Sequence, residues 1–134
     1  QIDDISEIAL KMQIDAVVAT NTTLDHQGLK SYVKNKRGGL SGRPLFSKST
    51  WVLANLSRRL EKRIPLIGVG GIASAQDAYI KLLAGASAVQ LYTGLVYNGM
   101  GLVTKINSGL SEILSQQNKA HLSDIVGSET EKFL

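Results

Sequence analysis

Two glycine-rich segments of this sequence have residue types that can bind a phosphate group. Gly68-Val69-Gly70-Gly71-Ile72 and Tyr92-Thr93-Gly94 each follow a short apolar run and precede a segment with helical spacing of apolar residues. Glycines let backbone N–H groups approach an anion closely, and the N-terminus of the following helix adds partial positive charge. Two such segments in succession favour a phosphate site. The alternative is that the glycines only turn a strand into a helix.

A polar run and a glycine-rich loop earlier in the chain suit a flat organic ligand. In Thr20-Asn21-Thr22-Thr23 a carboxamide stands among hydroxyl groups, and its donor and acceptor atoms match the imide edges of a planar heterocycle. The loop at 38–45, GGLSGRPL, has three glycines in five positions, so its backbone could lie against such a ligand. The alternatives are a turn or helix cap for the first segment and an irregular turn for the second.

The composition excludes several other kinds of site. The 134 residues include no cysteine, so disulfides, cysteine-bound metals and thiol nucleophiles are excluded. His26 and His121 have no neighbouring acid or nucleophile that would complete a catalytic triad or a metal site, and the acidic residues offer no pair for acid–base chemistry. We therefore predict no metal site and no catalytic residue in this sequence.

The net charge of +4 arises largely from one basic segment. Fifteen Lys and Arg residues outnumber eleven Asp and Glu residues. Five of the basic residues lie close together: Lys30, Lys34, Lys36, Arg37 and Arg43. This segment is either a solvated loop or one that meets an anion or an acidic partner. We predict no nucleic-acid binding, because Tyr32 alone stands among these residues and aromatic residues make up 5% of the chain.

The candidate ligand-binding segments stand between the elements of a parallel α/β fold. Apolar runs without alternation are typical of strands covered on both faces, and apolar residues three and four positions apart indicate helices. The predicted strands are 16–19, 64–69 and 86–92. The predicted helices are 4–12, one capped by Ser47 or Ser49 and ending near 62, 75–84 capped by Ser74, 101–115 and a last one near 122–126. We predict a long loop at 24–46 and a loosely ordered tail at 117–134.

This order of elements predicts about three strand–helix units with polar loops at the carboxyl ends of the strands. A complete GxGxxG fingerprint is absent, which argues against a dinucleotide-binding fold. A barrel of eight such units needs about 250 residues, so this chain would supply roughly half of one. No run approaches about 18 consecutive apolar residues, so we predict a soluble segment without a membrane span.

Four segments, in order, resemble the quinone-dependent (class 2) dihydroorotate dehydrogenases. They are ATNTTLD (19–25), GGLSGRPL (38–45), IPLIGVGGI (64–72) and AGASAVQLYTGLVYNG (84–99). The resemblance extends from about residue 3 to about residue 115. It implies that the whole chain is the C-terminal part, about three βα units, of a TIM (β/α)8 barrel that holds FMN. It further implies oxidation of dihydroorotate to orotate in pyrimidine biosynthesis, with the electrons passed to a membrane quinone.

The resemblance also implies a role for eight residues. Asn21 and Thr22 would bind dihydroorotate or orotate. FMN would be bound by Thr20, Gly42, Gly70, Gly71, Tyr92 and Thr93. His26 and Met100 stand where the family commonly has arginine and proline, and neither position belongs to a ligand-binding motif.

The family's catalytic serine, its flavin-contacting lysine and its N-terminal membrane-associating helices are expected to precede this segment. We therefore expect the segment alone to be inactive. The whole protein is expected to lie peripherally on an inner membrane, either on the bacterial cytoplasmic face or in mitochondria, and to meet its quinone through the N-terminal region. The alternatives are another phosphate-binding TIM-barrel enzyme and a non-catalytic α/β binding module.

Overall fold

Three short parallel strands form the centre of the structure, a computed structural model that describes residues 1–27, 29 and 37–134. The strands are β1 (Val17–Ala19), β2 (Leu66–Val69) and β3 (Ala88–Gln90). They are hydrogen-bonded in chain order, with β2 in the middle. Because the strands are parallel, their carboxyl ends meet at one edge of the sheet.

Helices connect the strands, as a parallel sheet requires. The helices are α1 (Ile2–Met12), α2 (Phe46–Leu60), α3 (Ala75–Leu83), α4 (Thr93–Asn98) and α5 (Leu102–Gln116). Helix α2 lies between β1 and β2 in the chain, and α3 lies between β2 and β3. None of the helices in the described ranges is both long and apolar enough to cross a membrane.

Two apolar clusters hold the helices against the sheet. The first joins α1, α2 and the strands around Leu53 and Leu60, whose side chains are fully buried. The second joins α3 and α5 and contains Leu82 and Ile106. Removal of apolar surface from water, at about 25 cal/mol per Å², is what fixes these helices to the strands.

The start of α2 differs from the prediction. The helix begins at Phe46, and no side chain caps it, so the predicted serine cap is wrong. A 3-10 turn at Arg43–Leu45, with Pro44 in it, leads directly into the helix instead. The cap predicted at Ser74 is confirmed, because its hydroxyl oxygen accepts a hydrogen bond from the N–H of Asp77 at 3.1 Å.

The strands are shorter than predicted. Some apolar residues beside them are buried in the core but do not pair with a neighbouring strand. Ile64 and Ala86 are buried in the first cluster but lie outside β2 and β3. The six-residue helix α4 was not predicted, since the sequence around Thr93 and Gly94 indicates only a turn. The order of strands and longer helices agrees with the prediction.

Residues 117–134, for which the sequence predicts a loosely ordered tail, pack back onto the domain. Two 3-10 turns lie in this segment, at Leu122–Asp124 and Thr130–Phe133. Ile125 is 2% exposed and belongs to the second cluster. The N–H of Gly127 donates to the carbonyl of Leu82 at 2.9 Å. Buried Thr130, Phe133 packed against both clusters and several backbone hydrogen bonds also hold the segment. These residues are scattered through a mostly polar stretch, so no apolar period in the sequence predicts the packing.

Candidate functional site

A cleft of about 860 Å³ opens at the carboxyl edge of the sheet. The residues that follow all three strands line it, together with the loop at 39–45. All eight residues with a predicted ligand role line this one cleft: Thr20, Asn21, Thr22, Gly42, Gly70, Gly71, Tyr92 and Thr93. The volume lies in the range typical of cofactor and small-molecule sites. The fold therefore brings together four segments that are far apart in the chain.

The end of β1 supplies hydroxyl and amide groups to this cleft. The N–H of Thr20 donates to the carbonyl of Val69 at 3.1 Å, which holds the chain beside β2 for one residue beyond the strand. Asn21 Oδ1 accepts a hydrogen bond from the N–H of Thr22 at 2.7 Å. That local bond fixes the Asn21 carboxamide and leaves its Nδ2 as the atom able to donate to a ligand.

The loop at 37–45 connects the end of β1 to the end of β3. Thr23 and Leu40 exchange two backbone hydrogen bonds, of 3.1 and 2.7 Å. The Thr93 hydroxyl donates to Ser41 Oγ at 3.0 Å. Gly42 has a φ of +77°, and a Cβ there would lie 3.1 Å from the methyl group of Thr93. The loop thus closes one side of the cleft, and Gly42 leaves room for Thr93.

The segment after β2 turns sharply at two glycines. Gly70 has a φ of +116° and Gly71 a φ of +79°, in the left-handed region that side chains disfavour. A Cβ at Gly71 would lie 2.6 Å from Cβ of Phe46 and 2.8 Å from its backbone N. Glycine is therefore required at this position by close packing against the first residue of α2, whether or not a ligand is bound.

At least four backbone N–H groups on the cleft have no acceptor among the described residues. They belong to Gly71, Ile72, Thr93 and Gly94, and none donates to another described residue. Backbone N–H groups in folded proteins are nearly always paired, with protein, water or ligand. Two come from the segment after β2 and two from the segment after β3, which is the arrangement expected for holding an anion between neighbouring strand ends.

An ion pair joins the loop to the start of α3. Arg43 Nη1 lies 2.8 Å from both carboxylate oxygens of Asp77, whose side chain is 7% exposed. One of those oxygens also accepts the N–H of Ala73 at 3.0 Å. The sequence did not predict this pair, because the two residues are 34 positions apart and each also suits a solvated role. The pair holds the guanidinium group of Arg43 in one orientation beside the cleft.

Most of the chain matches proteins of one known family. The family model described as "Dihydroorotate dehydrogenase" matches residues 1–114. The chain belongs to the dihydroorotate dehydrogenase family. Relatives named dihydroorotate dehydrogenase (quinone) include those of Cereibacter sphaeroides, 53% identical over 92% of this chain, and Parvibaculum lavamentivorans, 49% identical over 96%. The chain spans 35% and 37% of these two proteins, about a third of their length.

Solved dihydroorotate dehydrogenases share the fold. The crystal structure of the Eimeria tenella enzyme in complex with ferulenol superposes with a TM-score of 0.90 at 35% identity, over 94% of this chain and 34% of that one. A ligand-free structure of the same protein gives 0.91 at 35% identity, over 96% of this chain and 36% of that one. The predicted fold class is confirmed: the three parallel strands and their helices are a portion of a TIM barrel.

The predictions for the basic segment, for His26 and for metal binding concern residues in or near the loop at 24–46 and the rest of the described chain. Lys30, Tyr32, Lys34 and Lys36 of the basic segment lie outside the described residues. One ring nitrogen of His26 lies 3.1 Å from the carbonyl oxygen of Gly38. Over residues 1–27, 29 and 37–134, no group of three or more His, Asp and Glu residues is placed to hold a metal ion.

A buried lysine lies behind the cleft, and its sequence context does not single it out. Lys81 is 0% exposed, and its Nζ lies 2.6 Å from Ser49 Oγ and 2.8 Å from Thr50 Oγ1. Burial lowers the pKa of Lys81 to about 7, and attraction to Asp77 opposes part of that shift. On the sequence, Lys81 falls within the apolar stretch of α3, where a single lysine is usually read as a solvated side chain.

Proposed function

We propose that this chain supplies the FMN phosphate site and part of the orotate site of an enzyme that oxidises dihydroorotate to orotate with a quinone as acceptor. The observation that carries the proposal is the convergence of eight residues, from four separate motifs, on one cleft at the carboxyl edge of the sheet. Membership of the dihydroorotate dehydrogenase family supports the choice of substrate.

The cleft fits the phosphate end of FMN on three counts. The backbone N–H groups of Gly71, Ile72, Thr93 and Gly94, which donate to no other residue in the described part of the chain, would hold the phosphate oxygens. Arg43 lines the same cleft, and its guanidinium has further N–H donors besides the Nη1 that pairs with Asp77. The carboxylate of Asp77 is already paired with Arg43 and buried, so it would not repel an anion strongly. When bound, FMN supplies the redox chemistry by accepting two electrons from the substrate.

The end of β1 fits the pyrimidine edge of the substrate. Asn21 and Thr22 are exposed at the end of a strand, beside the loop that Gly42 turns. The carboxamide of Asn21 is oriented by its bond to the N–H of Thr22, so its Nδ2 would donate to a ring carbonyl. Thr20 adjoins this pair and would contact FMN. These residues bind and orient the substrate, and the catalytic base is expected from another part of the barrel.

In this proposal, other parts of the protein supply the catalytic serine, meet the quinone and attach the enzyme peripherally to an inner membrane. The cleft is lined by neither a carboxylate nor a histidine, as far as the described residues go. Proton removal from dihydroorotate would therefore need a base from elsewhere in the barrel.

A barrel chimera tests the proposal. In the Cereibacter sphaeroides relative, the stretch that matches 124 residues of this chain is replaced by those residues, which are 53% identical. We expect the purified barrel chimera to carry FMN, seen as its visible absorbance, and to form orotate with a quinone acceptor. A folded chimera that binds no FMN would contradict the proposal, and bound FMN without orotate formation would contradict the choice of substrate.

A further inference from the structure

Lys81 is connected to the phosphate-binding segment by a buried chain of hydrogen bonds. Its Nζ lies 2.6 Å from Ser49 Oγ, 2.8 Å from Thr50 Oγ1 and 3.3 Å from the carbonyl oxygen of Phe46. Those three acceptors match the three N–H donors of an ammonium group. All three lie in the first turns of α2, whereas Lys81 is on α3. The lysine therefore ties α3 to the N-terminal part of α2.

The hydroxyl of Ser49 continues this chain to the segment after β2. Ser49 Oγ lies 3.0 Å from the carbonyl oxygen of Phe46 and 3.0 Å from that of Gly70. The Phe46 carbonyl already accepts from Lys81 and from the hydroxyl of Thr50, at 2.7 Å in the second case, which uses both of its lone pairs. The Ser49 hydroxyl has one proton, so it donates this proton to the carbonyl oxygen of Gly70.

The peptide that Ser49 holds is the one whose N–H faces the proposed phosphate. The carbonyl of Gly70 and the N–H of Gly71 belong to the same planar peptide group, so fixing one atom fixes the direction of the other. A hydrogen bond to the carbonyl also polarises the peptide and makes its N–H a stronger donor. Close contact reinforces the link, because a Cβ at Gly70 would lie only 2.8 Å from Ser49 Oγ.

We propose that Lys81 is a positioning residue for the phosphate site, acting through Ser49 on the Gly70–Gly71 peptide. The proposal rests on the proposed function, since it assigns Lys81 to the same site. It explains why a lysine is kept in the interior without a carboxylate partner in hydrogen-bond contact, among the residues that the structure describes. Lys81 does not touch the ligand. Its effect should be confined to the phosphate end of FMN.

The affinities of two flavins test this, because riboflavin has the ring system of FMN without the phosphate. In the flavin-free barrel chimera we expect Ser49→Ala to raise the Kd for FMN about fivefold, in line with loss of one hydrogen bond. The Kd for riboflavin should change less than twofold. Lys81→Met should raise the Kd for FMN about tenfold, and it should again change the Kd for riboflavin less than twofold. Quenching of flavin fluorescence measures both constants.

Ser57→Ala is the matched control. It removes a hydroxyl of the same helix, α2, that contacts Thr130 and neither Lys81 nor Gly70, so the ratio of the two flavin affinities should stay within twofold of its unsubstituted value. Equal weakening of both flavins by Ser49→Ala, or no weakening, would overturn the inference, as would an FMN-selective loss in Ser57→Ala or unchanged flavin affinities in a folded Lys81→Met. If Lys81→Met fails to fold, Lys81→Gln, which keeps a polar group at this position, takes its place. If the unsubstituted chimera binds no FMN, the proposed function fails and this inference fails with it.

Discussion

Asn21 is the residue whose side chain would recognise the substrate rather than the cofactor. We expect Asn21→Ala to raise the KM for dihydroorotate at least tenfold in the barrel chimera, because a neutral hydrogen bond to a ring carbonyl is lost and that carbonyl is left unpaired. The FMN content should not change. Orotate absorbance gives the KM, and flavin absorbance gives the cofactor content.

Asn107→Ala is the control for this substitution, since Asn107 is an exposed asparagine on α5 that does not line the cleft. It should leave both quantities unchanged. A loss of FMN in Asn21→Ala that matches the loss of substrate affinity would instead assign Asn21 to the cofactor.

Lys81 should make the stability of the protein depend on pH. In the unfolded chain lysine keeps its proton up to about pH 10, whereas burial lowers the pKa of Lys81 to about 7 in the fold. The unfolded state therefore binds more protons between these values, and the free energy of unfolding should rise by about 2.5 kcal/mol from pH 6 to pH 9. Asp77 on the same helix opposes the shift, and α2 presents only hydroxyl groups, a carbonyl and the Phe46 ring to the amine.

Urea unfolding at pH 6, 7.5 and 9 measures this effect. Lys81→Met is the control, because it removes the titrating group and should flatten the increase. An identical pH dependence in the variant would show that other groups cause it.

The sequence motifs predicted a set of residues that the fold brings to one cleft, whereas the contacts that support these residues could not be predicted. Asn21 and Gly71 stand in short motifs that the family resemblance assigns to ligand binding, and all eight predicted residues line one cleft. Arg43 with Asp77, and Lys81 with Ser49, are pairs separated by more than 30 positions. Each member is ordinary by itself, and the pairs form only because α2 and the 3-10 turn before it pack against α3.

At the level of elements, the turn after β2 depends on glycine at a single close contact. We expect Gly71→Ala to lower the free energy of unfolding by about 3 kcal/mol, because the new methyl group would meet the backbone of Phe46 and because φ is +79°. The end of β2 and the start of α2 would be forced apart. FMN binding should be lost as well, since the N–H of residue 71 moves with them.

Gly99→Ala separates the two causes. Gly99 has a similar φ of +73°, with ψ of 174°, but a Cβ there would meet no atom within 4 Å. This control should cost about 2 kcal/mol, the backbone strain alone. Chemical denaturation measures both variants, and equal losses would mean that the contact with Phe46 relaxes freely.

The sequence predicted the order of the elements better than their ends. Short apolar runs located all three strands, but Ile64 and Ala86 are apolar because they are buried beside the sheet, so the runs overstate the strands. Ser74 could be recognised as a cap because its geometry is local. The start of α2 could not be predicted in this way, because it is set by the turn around Pro44 and by contact with the glycines after β2.

At the level of the whole molecule, we expect the isolated 134-residue chain to form no orotate. The described residues that line its cleft include no carboxylate or histidine able to take a proton, and the chain spans only about a third of its relatives' length. Orotate absorbance with dihydroorotate and a quinone acceptor is the measurement, and the barrel chimera is the positive control. Turnover by the isolated chain above the rate in buffer would contradict this prediction.

The two outer strands of the sheet also make this chain suitable for reconstitution from separate pieces. Strand β2 is paired on both sides, while β1 and β3 are each paired on one side only among the described residues. Their free backbone groups are templates for further strands of a barrel. A separately produced polypeptide with the other βα units could therefore complement this one, as the halves of a split enzyme do. Because the proposed phosphate-binding groups all lie on this chain, flavin fluorescence would report the moment at which the two pieces join.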